Sequence, residues 1–132
     1  MIAREYYNSA DADAFYATIW GGEDIHIGLY ASASESIFDA SRRTVAHMAE
    51  LAAPITEATR MLDIGSGYGG PARYLAARFG CHVAALNLSE KENERARRLN
   101  REHGLEDAIQ VIDGAFEDIP LPDASVDRVW SQ

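Results

Sequence analysis

Apolar positions along the chain change period several times, and each change marks an element. From Ser9 to Trp20 the spacing predicts a helix. Phe15, Ile19 and Trp20 fall near one face, Ser9 can cap, and Asp11 and Asp13 sit where a helix dipole favours negative charge. Residues 35–53 repeat at the same spacing, with Ile37, Val45, Met48 and Ala52 on one face and Pro54 closing the run. The period then shortens. Residues 60–64, 82–87, 109–112 and 126–130 are brief apolar runs of strand length. Helical stretches separate the first three. One covers 71–79, with Pro71 in its first turn, Leu75 and Phe79 inward and Gly80 past its end. The other opens on a Ser89/Glu92 capping-box pattern and stops at Gly104.

Strands alternating with helices predict an α/β fold built on a Rossmann-like parallel sheet. The expected strand order is 3-2-1-4, the first half of a doubly wound fold, with the N-terminal helices packed beside it. The near-continuous apolar run of the second strand suits burial on both faces. The expectation is one domain over residues 1–132, with 1–55 as a helical cap and 56–132 as the Rossmann-like half. A sheet of this kind ordinarily continues past its fourth strand. The chain therefore reads as truncated, an N-terminal portion of a longer protein or one completed by another chain. The open edge of strand 4 is a candidate for self-association.

Charge narrows the partners. The 132 residues carry a net charge of −9, which argues against a phosphate-backbone partner. The one basic cluster, Arg95, Arg97 and Arg98, alternates with Glu92, Glu94 and Glu102 and reads as a salt-laced helix face. The single cysteine, Cys81, excludes an internal disulfide and reads as a buried small hydrophobe. No apolar run is long enough to span a bilayer, and the N-terminus lacks the apolar core of a signal peptide, so a cytoplasmic protein with no membrane partner is expected. No His, Cys or carboxylate spacing suggests a metal.

The candidate chemistry centres on Met61–Ala72, where a short strand runs into a glycine turn that opens a helix. Gly65, Gly67 and Gly70 satisfy G-x-G-x-x-G, a pattern shared by NAD, FAD and S-adenosylmethionine (SAM) folds. Asp63, two residues before the first glycine, would repel a pyrophosphate and suits a ligand end that carries an ammonium and a sulfonium. On this reading Asp63, Gly65, Ser66 and Gly67 bind SAM, against the alternative of a purely structural turn. Asn87 ends the second strand, where such folds usually place an Asp or Glu for the ribose hydroxyls. An amide can still accept through its oxygen. That weakens an NAD-dependent oxidoreductase without excluding ribose contact, and a simple turn residue is the other reading. Ala115 and Phe116 follow the third strand, where an adenine would lie; Phe116 could stack on the base or belong to the core. The Trp20–Tyr30 loop, with Tyr6, Tyr7 and Tyr16 upstream, offers aromatic faces and carboxylates to a cationic amine. The plainer reading of the same residues is a packing seam, and of His26 a hydrogen-bonded loop histidine.

Leu62–Gly70, Leu86–Ser89, Gly114–Phe116 and Trp130–Gln132 together resemble the class I SAM-dependent methyltransferases. The segments Asp13–Tyr16 and Trp20–Gly28 are similar to the N-terminal signature of the sarcosine/dimethylglycine N-methyltransferase group, which makes glycine betaine. The resemblance covers nearly the whole chain. It implies that the Gly65 loop lies beside the methionine part of SAM, that Asn87 and Leu88 meet ribose and adenine, and that Ala115 and Phe116 meet the adenine. Many relatives carry an acidic residue where Ala115 stands, holding the adenine amino group; Ala115 has no side-chain acceptor for that bond. The resemblance places Gln132 at the methionine end and puts Tyr7 with Gly21–Gly28 over the transferred methyl, which makes Tyr7, Trp20, Gly22 and Ile27 substrate-side candidates. Tyr7 and His26 are the candidate general bases, although direct displacement by an unprotonated amine needs alignment more than a base. Competing expectations are methyl transfer to another small molecule or a lipid-like acceptor, and an inactive SAM-binding fragment of a longer enzyme.

Overall fold

The computed structural model describes residues 2–19 and 27–132. Among these described residues, five helices and four strands run in the order α1 (Ile2–Tyr7), α2 (Ala10–Ile19), α3 (Ile37–Leu51), β1 (Arg60–Ile64), α4 (Gly70–Phe79), β2 (His82–Asn87), α5 (Glu90–Glu102), β3 (Ile109–Asp113) and β4 (Arg128–Ser131). All three strand pairs are parallel, and the order is β3-β2-β1-β4, as the alternation of periods predicts. Among the described residues no helix is long and apolar enough to cross a membrane.

The core lies on one face of the sheet. Met61, Val83, Ala85, Ile109 and Trp130 point to it from the strands, and Val45, Ala49, Ala72 and Leu75 meet them from α3 and α4. Cys81 is fully buried in the same cluster, and burial pushes its thiol up from the ordinary value, which fits an inert packing role. The opposite face carries Leu62, Ala84 and Gln110 with Val129, which is 64% exposed. This parallel register brings the C-terminal ends of all four strands to one rim, where the loops with chemistry gather.

Local sequence explains the boundaries. Ser36 caps α3 by accepting from the Asp39 N–H at 3.0 Å, so the helix starts two residues later than its apolar period suggests. Ser9 accepts from the Ala12 N–H at 3.1 Å and caps α2. The short helix α1 has no apolar repeat and no buried residue; polar contacts hold it instead. Arg4 pairs with Glu90, Asn8 Nδ2 donates to Glu90 Oε2 at 2.8 Å, and Ser89 Oγ donates to Asn8 Oδ1 at 2.6 Å. Phe15 on α2 is half exposed, while Trp20 and the side chains of Tyr16 and Ile19 lie outside the described residues.

Helix α5 departs from the expected salt-laced face. Only Arg98–Glu102 forms an ion pair along the helix, at 3.8 Å, among the pairs seen in the described residues. Arg95 instead reaches Asp13 of α2 at 2.8 Å, Arg97 reaches Asp113 at 3.1 Å, and Glu92 is buried. An exposed pair along one helix contributes only a few tenths of a kcal/mol. Arg95 and Arg97 instead tie α5 to α2 and to the end of β3.

Candidate functional site

Above the rim lies a cavity of about 410 Å³, within the size range of small-molecule sites. Its floor is the turn between β1 and α4. Gly65 and Ser66 both donate their N–H to the Leu86 carbonyl, at 2.8 and 3.1 Å, which binds the turn to the end of β2. Gly65, Gly67 and Gly69 have φ of 75°, 57° and 81°, the left-handed region that glycine enters without penalty. Gly70, the third glycine of the sequence pattern, instead begins α4. A Cβ built on Gly65 meets no heavy atom within 4 Å. The protein leaves that space open, as a cradle for a ligand requires.

The cavity gathers most of the residues singled out from the sequence. Tyr7, Gly65 and Gly67 line one part; Asn87, Leu88, Ala115, Phe116 and Gln132 line the rest. Phe116 is 67% exposed, so it is a rim residue and not core. Gln132 is held at the edge, its side-chain oxygen accepting from Trp130 Nε1 at 3.1 Å. Asp63 and Ser66 are each 1% exposed and stand behind the turn, outside the lining. Ile27 is 84% exposed and also outside it. Gly28 rests against α3, where a Cβ would come within 2.5 Å of Ala40 Cβ. Trp20, Gly22 and His26 lie outside the described residues. No group of three or more metal-ligating side chains occurs among the described residues.

A polar chain fastens this turn to the N-terminal helices. Tyr68 is buried, and its hydroxyl donates to the Asp13 carbonyl at 3.1 Å and lies 3.2 Å from Asp13 Oδ1. The Arg95 guanidinium sits 4.8 Å from the Tyr68 ring centroid while pairing with Asp13. Burial, then the nearby Asp13 charge, push the Tyr68 phenol well above its usual value. In the unfolded chain tyrosine ionises near pH ~10. A folded value above the unfolded one gives stability that is present below that pH and is lost as pH rises further. Tyr68→Phe is expected to cost about 1 kcal/mol at neutral pH and to flatten this alkaline loss. Denaturant unfolding at a series of alkaline pH values checks both; an unchanged alkaline slope contradicts the assignment.

Two lining carboxylates, Glu92 and Glu117, have no place in the site expected from the sequence, and Glu92 is the buried one. Glu92 is 3% exposed, lines the cavity, and accepts from Asn87 Nδ2 at 2.8 Å. Burial raises its carboxyl above the usual range, against the opposing hydrogen bond from Asn87. The capping-box spacing gave the signal, but only half the box forms: the Glu92 N–H donates to Ser89 Oγ at 3.2 Å, while its carboxylate turns to Asn87. Beside it, Asn93 Nδ2 donates to the Asn87 carbonyl at 3.0 Å and to Asp113 Oδ1 at 2.7 Å. Burial opposes ionisation of Asp113, but the bonds from Asn93 and Arg97 outweigh it and hold the carboxyl below its ordinary value.

A parallel sheet in this order, with a glycine turn and an open cavity at its switch point, defines an α/β domain of the doubly wound, ligand-binding class. Comparison with known sequences makes that class specific: the chain belongs to the methyltransferase domain family, whose profile matches residues 62–132. It is 61% identical over 130 residues to a sarcosine/dimethylglycine N-methyltransferase of Halorhodospira halochloris, covering 98% of this chain and 47% of that protein. It is 58% identical over 130 residues to a glycine/sarcosine/dimethylglycine N-methyltransferase of Actinopolyspora halophila, covering 98% of this chain and 23% of that one. A crystal structure from Galdieria sulphuraria, assigned as a sarcosine dimethylglycine methyltransferase, superposes with a TM-score of 0.82 at 40% identity, over 96% of this chain and 48% of that one. The chain thus spans half or less of the length of these relatives.

Proposed function

We propose that the protein transfers a methyl group from SAM to a small amine of the sarcosine/dimethylglycine class. The observation that carries this reading is the open cradle at Gly65, bordered by Asn87 and Phe116, in a chain so similar to two amine N-methyltransferases. When bound, SAM supplies an electrophilic methyl that an amine lone pair displaces from sulfur.

The chain's own residues have three tasks on this reading. Gly65 and Gly67 admit the methionine part close to the main chain, with Gln132 at the same end, and Asp63 behind the turn adds negative potential toward a cationic ligand. Asn87 and Leu88 face the ribose side, and Ala115 and Phe116 the adenine. On this reading the described N-terminal residues serve as a cap, and Tyr7, which lines the cavity, would close one wall and exclude water from the acceptor. Alignment and desolvation, not a strong base, would then supply most of the acceleration.

The test is transfer of isotopically labelled methyl by the intact protein to glycine, sarcosine, dimethylglycine and, as a lipid-like control, a sterol. Labelled glycine betaine from dimethylglycine, with one S-adenosylhomocysteine released per product, is the expected result. Transfer to none of the three amines overturns the substrate class. Transfer to the sterol alone would replace it.

A further inference from the structure

The end of β2 departs from the arrangement in which a carboxylate itself meets the ribose. The carboxylate is present, but it stands one layer back. Asn87 and Glu92 are 9% and 3% exposed, both line the cavity, and the Asn87 amide nitrogen donates to Glu92 Oε2 at 2.8 Å. The backbone of Asn87 is fixed on its other side, since its carbonyl accepts from the Gly114 N–H at 3.1 Å and from Asn93 Nδ2 at 3.0 Å. What remains free is the sense of the side-chain amide, whose oxygen and nitrogen could exchange places by a half-turn.

We propose that Glu92 is a positioning residue that sets this sense, so that Asn87 presents its Oδ1 to the ribose hydroxyls of the bound nucleoside. An ionised carboxylate only accepts hydrogen bonds, so the amide must turn its nitrogen toward Glu92. A half-turn would set two acceptors against each other in a buried place, which is costly. The pair therefore does through an amide what a single carboxylate does elsewhere: it offers an acceptor to a diol. The diverted capping box is the local device. Ser89 alone satisfies the helix N-terminus at Glu92, and the freed carboxylate serves the cavity.

This inference rests on the SAM reading, and the experiment separates the two. Binding of S-adenosylhomocysteine and of its 2′,3′-dideoxy counterpart is measured by calorimetry on the intact wild type, on Glu92→Gln, and on the double variant Asn87→Asp with Glu92→Gln. A neutral amide in place of the Glu92 carboxylate no longer dictates the sense of Asn87, so affinity for S-adenosylhomocysteine is expected to fall roughly tenfold while the dideoxy ligand loses less than about twofold. The double variant exchanges the two groups: the carboxylate now at the strand end accepts from the amide now on the helix and still offers an oxygen to the ribose. It is expected to return to within about threefold of wild type. Equal losses for both ligands, an unchanged preference in Glu92→Gln, or a double variant no better than the single one overturns the positioning role. A wild type that binds neither ligand overturns the SAM reading, and this inference with it. A wild type that binds S-adenosylhomocysteine leaves that reading standing whatever the variants do.

Discussion

Gly65→Ala is expected to leave the fold standing and to weaken S-adenosylhomocysteine binding by about 100-fold, near 2.7 kcal/mol. The residue has φ of 75°, so alanine there costs about 1–2 kcal/mol of backbone strain. Nothing else opposes the substitution, because the new Cβ meets no protein atom within 4 Å. The methyl group instead takes space beside the cavity floor where the ligand would lie. Gly104 supplies the control. It has φ of 69°, also with open space around a built Cβ, but follows α5 and lines none of the cavity. Gly104→Ala should show the strain without the binding loss. Calorimetric titration of both variants decides the matter, and equal affinities would mean that the Gly65 turn is conformational only.

Arg73→Met is expected to destabilise the protein by about 3 kcal/mol, the largest stability effect foreseen here. Arg73 is 4% exposed, and its Nη1 donates to the Tyr68 carbonyl at 2.6 Å and to Asn100 Oδ1 at 3.1 Å. Methionine keeps most of the volume but leaves two buried acceptors without that donor. The guanidinium is also built into the turn: a Cβ on Gly69 would lie 2.9 Å from Arg73 Nη1. Loss of the arginine therefore loosens Tyr68, and through Tyr68 the contact with Asp13 on α2. Urea unfolding of wild type and variant measures the cost. A change below about 1 kcal/mol would show that the turn is held by its backbone bonds to Leu86 alone.

Much of this fold was legible in the sequence because its elements have clean periods. β1, β2 and β3 lie at or within a residue of where their apolar runs end, and α4 carries Pro71 in its first turn and stops at Gly80. The strand order followed from the alternation of strands with helices, read as the first half of a doubly wound sheet. Helix α1 was not legible, since it buries no apolar face and is held by Arg4 and Asn8 against α5. The long-range roles of Arg95 and Arg97 were hidden for a related reason: charge spacing along a helix describes neighbours on that helix, and their partners come from α2 and β3.

The site was legible where chemistry and spacing agree. Glycine at 65 and 67, an amide at 87 and an aromatic at 116 converge on one cavity. Two features needed coordinates. Asp63 alternates toward the covered face of the sheet, so it faces the core behind the turn; from sequence, two residues before a glycine looked like the cavity itself. Glu92 satisfied a helix-capping pattern so well that its second role at the strand end gave no separate signal.

On the proposed function, the open turn at the end of β1 is a seat for an adenosyl sulfonium compound. A crystal structure of the intact protein grown with S-adenosylhomocysteine tests it most directly. The ligand is expected in the cavity, its amino acid end against Gly65–Gly67, its ribose within hydrogen-bond distance of Asn87 Oδ1 and its adenine against Phe116. A ligand bound elsewhere, or one whose adenine lies at the glycine turn, would contradict it.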